Sequence, residues 1–111
     1  MKDFTELTTA QPLVKRLLEA DVQSACVAYA RSKGFWARKF SSPANRSVPD
    51  YLFAKHPVKL AVEFKAPGKS STKAQTEEQG LMMDAGWTMW VDVGREGQAD
   101  IDWFKRQLDA L

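Results

Sequence analysis

The chain reads as an α/β domain with its elements in the order α-β-β-β-α-β-α, and three patterns carry that reading. Apolar residues recur three and four positions apart toward the N-terminal end, as on one face of a helix. Short aromatic and aliphatic runs follow, separated by turn residues, as strands are. A second helical stretch then precedes the last of these runs, and a third closes the chain.

In chain order, residues 13–33 predict a helix, because Val14, Leu18, Val22, Ala25 and Tyr29 share a stripe and Gly34 can end it. Phe35 to Phe40 alternates aromatic with small or basic residues and predicts the first strand. Ser41 to Ser47 is loop, punctuated by Pro43 and Asn45. Tyr51–Phe53 and Leu60–Phe64 predict the second and third strands, joined around His56 and Pro57. Ala66 to Ser71 is a glycine- and serine-containing loop, and Lys73 to Ala85 predicts a second helix ended by Gly86. Trp87 to Val93 predicts a fourth strand. Asp100 to Leu111 predicts a last helix with Ile101, Phe104, Leu108 and Leu111 on one stripe.

The 111 residues suit one domain, 1–111, with one core. A composition of 44% hydrophobic and 27% charged residues is that of a globular protein, and no apolar run approaches the roughly 20 residues needed to span a bilayer. Residues 1–6 lack the apolar stretch of a secretory signal, and Cys26 is the single cysteine. These features predict a reducing, cytoplasmic setting, without membrane attachment.

Charge is unevenly placed. The net value is only +2, yet residues 31–73 hold ten basic side chains and two acidic ones, a local +8. The two acids are Asp50 and Glu63; among the bases are Arg38, Lys39, Arg46, Lys69 and Lys73. A basic block of this kind suits a phosphate backbone and equally a solvated surface; taken together with the two carboxylates inside it, DNA or RNA is the expected partner.

The two acids within the block carry the chemical signal. Asp50 opens the second strand and Glu63 lies near the end of the third, two residues before Lys65. Residues two apart on a strand share a face, so Glu63 and Lys65 project together while Val62 and Phe64 face the other way. If the second and third strands pair as a hairpin, Asp50 approaches Glu63. Two carboxylates can hold Mg²⁺ or Mn²⁺, and an ammonium beside them can act on an attacking water or on the phosphate.

These residues, in this order, resemble the PD-(D/E)xK nuclease superfamily and, within it, the VRR-NUC group. The resemblance runs from Glu19-Ala20-Asp21-Val22-Gln23 through Pro49-Asp50 and Glu63-Phe64-Lys65-Ala66 to Ser71-Thr72-Lys73-Ala74-Gln75 and Gly86. One departure is Ser47, where the group carries glycine two residues before Pro-Asp; it bears on the loop before Asp50. The resemblance implies a restriction-endonuclease-like αβββαβ core, with a mixed central sheet flanked by helices and an extra C-terminal helix. It further implies that Asp50 and Glu63 chelate Mg²⁺ or Mn²⁺, with the Phe64 carbonyl as an extra ligand and Glu19 completing or enlarging the site. Lys65 would orient or deprotonate the water, or neutralise developing charge, and Gln75 would position Lys65, the water or the phosphate.

Competing assignments exist for several of these residues. Asp21 lies nearer the centre of the first helix's stripe and rivals Glu19 as a ligand. Thr72 to Gln75 also fits a capping box, in which Gln75 serves the helix start. Cys26 is expected to be a buried helix residue, and His56, the one histidine, has no partner for metal or acid–base work. Of Trp36, Trp87, Trp90 and Trp103, three are expected in the core and Trp103, off the last helix's stripe, at the surface. The function expected from the resemblance is that of an endonuclease selective for branched DNA such as Holliday junctions, a homodimer of bacteriophage origin. A restriction or repair nuclease, or a non-catalytic DNA-binding module of the same fold, are the alternatives.

Overall fold

The computed structural model describes residues 18–41 and 48–111. All seven expected elements are present there: α1 (Glu19–Ser32), β1 (Trp36–Lys39), β2 (Tyr51–Lys55), β3 (Val58–Phe64), α2 (Lys73–Asp84), β4 (Thr88–Val93) and α3 (Gln98–Asp109). The first part of the expected first helix, residues 13–17, and the expected loop residues Pro43, Asn45, Arg46 and Ser47 lie outside the described residues.

The four strands form one mixed sheet in the order β1-β2-β3-β4. β1 pairs antiparallel with β2, and β2 antiparallel with β3, while β4 runs parallel to β3. The β3-to-β4 connection contains α2, as a parallel pair requires a crossover. Lys55 pairs with Val58, so His56 and Pro57 alone connect β2 to β3. Both strands therefore extend further than their apolar runs: Lys55 and Lys59 keep the ladder going with exposed side chains.

One face of the sheet carries the core. Ala37, Phe53, Leu60, Val62, Phe64 and Val93 pack against Val22, Cys26, Val27 and Ala30 of α1 and Ile101, Phe104 and Leu108 of α3. Phe53, Phe64 and Phe104 are fully buried, each contributing on the order of 1.5–3 kcal/mol in transfer free energy. Phe104 contacts Phe53 and Trp90 at ring centroid distances of 5.7 and 5.4 Å. Cys26 lies in this core as expected, and burial pushes its thiol up to about 12. α2 lies on the opposite side near β4, and its one buried side chain, Gln79, donates to the Ser71 hydroxyl at 3.1 Å.

Three expectations about apolar residues are corrected, the first being Leu111, which lies beyond the end of α3 and is exposed. Leu18 does not join the stripe on α1: it is the N-cap residue, one position before the helix, and is exposed. Trp103 is half-buried and packs edge-on against Trp90 at 5.1 Å, whereas Trp36 is the exposed tryptophan. Trp103 lies beside the stripe rather than opposite it, and Trp90 on β4 covers it. Trp36 is exposed because it faces the side of β1 away from α1 and α3, opposite buried Ala37.

Candidate active site

The β2–β3 hairpin sets the site. Tyr51 pairs with Val62, so the next position outward on β2, Asp50, stands across from Glu63. The Phe64 amide donates to Asp50 Oδ2 at 3.0 Å, which fixes the Asp50 carboxylate against the end of β3. Pro49, fully buried, anchors the chain just before it.

Glu63 is the unusual residue. It is only 2% exposed, its Oε2 lies 3.7 Å from Lys65 Nζ, and its Oε1 is buried without a hydrogen-bond partner. Burial, and then the Asp50 carboxylate beside it, push Glu63 up to about 8, while Lys65 pulls in the opposite direction. A carboxyl group with one oxygen unsatisfied costs free energy unless something compensates it.

β4 contributes through an irregularity. Val62 pairs with Trp90 but Phe64 pairs with Val93, so Glu63 faces two residues, Val91 and Asp92. Such a bulge locally disrupts the ladder and re-aims side chains. Asp92 adopts φ 60°, a conformation rare outside glycine, and one of its carboxylate oxygens is buried without a hydrogen bond. After the bulge, the Lys65 amide donates to the Val93 carbonyl at 2.9 Å. Gly94 follows at φ +117°, so close that a Cβ there would stand 2.6 Å from the Lys65 carbonyl oxygen. Asp100, in the first turn of α3, accepts from the amides of Gly94 and Glu96 and holds this turn in place. The sequence reading missed Asp92, Gly94 and Asp100; a glycine directly after a strand is the visible signal for a close backbone approach.

The ammonium of Lys65 has a defined place. Its Nζ donates to Gln75 Oε1 at 3.0 Å, and the same oxygen accepts from the Thr72 amide at 2.9 Å. The Gln75 amide in turn donates to Thr72 Oγ1. The capping box and the Lys65 contact, two competing uses of Gln75 in the sequence, coexist on one side chain. The start of α2 thereby holds the lysine.

The first helix offers Glu19 and Asp21. Asp21 Oδ2 accepts from the Leu18 amide at 3.1 Å and caps the helix start. Glu19 accepts from Gln23 at 3.0 Å and is one of the charges that raise Glu63. Glu19 therefore lies on the site's side, while Asp21 is engaged in the cap. Among the described residues, no group of three or more His, Cys, Asp or Glu side chains is gathered as a metal cluster. His56 sits on the β2–β3 connection, at the other end of β3 from Glu63.

Of the basic residues expected to meet nucleic acid, Arg38, Lys39, Lys69 and Lys73 are exposed, and Arg46 lies outside the described residues. Strand alternation puts Arg38 and Lys39 on opposite faces of β1. No helix of the described residues is long and apolar enough to cross a membrane.

The fold has solved counterparts. A structure named "VRR_NUC domain" superposes with a TM-score of 0.64 at 22% identity, over 84% of this chain and 91% of that one. A "VRR_NUC domain protein" does so with a TM-score of 0.61 at 20% identity, over 85% and 92%. No family model matches the sequence, and no curated protein matches it. The chain carries the fold of VRR_NUC domains, a four-stranded mixed sheet with helices on both sides.

Proposed function

We propose that this protein is a metal-dependent DNA endonuclease that hydrolyses phosphodiester bonds, with Asp50, Glu63 and Lys65 as its catalytic residues. One observation carries the reading: a buried Glu63 carboxyl with a partnerless oxygen stands beside a second carboxylate and an oriented ammonium. Likeness to structures named VRR_NUC supports it.

The donor set fits a hard divalent cation. Asp50 and Glu63 offer carboxylate oxygens, and the buried oxygen of Glu63 is of the kind a cation would satisfy. Asp50, Glu63 and the Phe64 carbonyl would hold Mg²⁺ or Mn²⁺, with Glu19 at the edge of the site. A cation held there would supply positive charge to the phosphoryl group and the incoming oxygen. Lys65, held 3.0 Å from Gln75 and 3.7 Å from Glu63, orients the attacking water or neutralises charge that develops on phosphorus. Gln75 gives the ammonium a second, neutral partner beside Glu63. Arg38, Lys69 and Lys73 hold the backbone by charge, so binding weakens steeply with salt.

The substrate proposed is branched DNA such as a Holliday junction, cut by a homodimer that places one site on each of two strands. The described elements are taken up by the sheet and the helices that position the site, and none is added as a base-reading module, which favours recognition of shape.

The test is incubation with an end-labelled four-way junction and a matched linear duplex, in Mg²⁺, Mn²⁺ or EDTA. Paired, metal-dependent cuts confined to the junction are the expected outcome. Equal cutting of the duplex would keep the nuclease and remove junction selectivity. Binding without cleavage in any metal would favour a DNA-binding module.

A further inference from the structure

The sheet has a second face, and the half of it that no described element covers leads straight to the site. Directly paired residues of a sheet share a face, so the register defines three rows. The first row is Trp36, Ala54 and Lys59; the second is Arg38, Leu52 and Ala61. In the third, the Phe40 amide donates to the Asp50 carbonyl at 2.7 Å, and Asp50 stands across from Glu63. Trp36 and Arg38 thus line one side of edge strand β1, and Phe40 continues that line just past its end, on the face that carries both carboxylates.

This strip is open. Trp36 is 50% exposed and Phe40 41%, and Leu52 and Ala54 beside them are half-buried. α1 and α3 pack on the other face, and α2 packs near β4. The Arg38 guanidinium lies 5.5 Å from the Trp36 ring centroid, so a cation already sits over one aromatic ring. Lys59 is exposed at the far end of the Trp36 row. The charges on these three rows are Arg38 and Lys59, with Asp50 and Glu63 at the site itself. At a rise of about 3.3 Å per residue, the strip from Phe40 to Trp36 spans roughly 13 Å.

We propose that Trp36, Arg38 and Phe40 form a stacking platform for unpaired nucleobases of the DNA strand next to the Asp50–Glu63 site. The partner follows from two complementarities. A cation-flanked aromatic surface matches a polyanion whose bases each present a π-face, and stacking of this kind tolerates any sequence. A paired duplex keeps its bases inside the stack, whereas a single strand or an opened branch point can lay them on a sheet. The platform rests on the nuclease reading for its partner, and it supplies that reading with a physical basis for preferring branched over linear DNA.

The experiment measures the affinity of a fluorescein-labelled 12-nucleotide single strand and of the matched duplex by anisotropy, in EDTA so that nothing is cut. Wild type is compared with Trp36→Ala, Trp36→Phe and Phe40→Ala, each verified as folded by circular dichroism. Loss of one stacked base is expected to weaken single-strand binding by about tenfold in Trp36→Ala, with duplex binding affected much less. Trp36→Phe, which keeps a ring, is expected to recover most of the loss. Equal losses on single strand and duplex would overturn the platform, as would unchanged single-strand affinity in both alanine variants. Conversion of a dimer to a monomer by Trp36→Ala, with single-strand affinity intact, would assign the strip to a second copy of this chain instead. Wild type that cleaves a junction while its strip variants lose no single-strand affinity would sink the platform alone. Wild type that neither binds nor cuts DNA would sink the nuclease reading with it.

Discussion

Replacing Glu63 with glutamine should make the metal-free protein more stable while removing its activity. The effect is pH-dependent, and its size follows from the site. Glu63 rises from an ordinary 4.5 to about 8, because it is buried and stands beside Asp50. Between these two pH values the folded protein keeps a proton that the unfolded chain has released. Stability therefore falls as pH rises through this window, and the full penalty is present above pH 8. At 1.36 kcal/mol per pH unit, a window of roughly 3.5 units sets a ceiling of about 5 kcal/mol. Glu63→Gln keeps the shape but cannot ionise, so it escapes the penalty. Urea unfolding in EDTA at pH 5 and pH 8.5 provides the assay. The variant should match wild type closely at pH 5 and exceed it by several kcal/mol at pH 8.5. Mg²⁺ at about 100 times its dissociation constant should restore about 2.7 kcal/mol to wild type and nothing to the variant. A stability difference that is the same at both pH values, or a variant weaker at pH 8.5, would refute the reasoning.

Other expectations concern the residues that hold Lys65. Gly94→Ala places a Cβ 2.6 Å from the Lys65 carbonyl oxygen at φ +117°, so it should cost about 1–3 kcal/mol in urea unfolding. It should also lower single-turnover cleavage at least tenfold by displacing Lys65. Gln75→Ala removes the acceptor of both the Lys65 ammonium and the Thr72 amide, and the cleavage rate should fall more than stability does. Thr72→Ala deletes the N-cap of α2, with an expected loss of about 1 kcal/mol in a thermal or urea melt. Dissociation constants for DNA in EDTA should rise linearly on a logarithmic plot against salt, with a shallower slope in Lys69→Ala.

The order of the elements could be read from the sequence because each run carries its own period. Glu63 and Lys65 share a face by alternation alone, and Asp50 meets Glu63 because His56 and Pro57 give a tight hairpin. What could not be read depends on contacts between distant segments. Alternation separates Trp36 from Ala37 but does not say which face the helices cover, so the open aromatic strip stayed hidden. The bulge opposite Glu63 arises from one extra residue in β4, and Val91-Asp92-Val93 looks like an ordinary strand. Gln75 looked like either a cap or a site residue because local sequence shows the cap and not Lys65, which approaches from ten positions earlier.

The central claim is that Asp50, Glu63 and Lys65 form one metal-dependent hydrolytic site. Single-turnover cleavage of a labelled four-way junction in Mn²⁺, comparing wild type with folded Asp50→Ala and Lys65→Ala, tests it most directly. Cleavage by wild type that disappears in EDTA and in both variants is the predicted result. Cleavage that persists in either variant, or in EDTA, would contradict it.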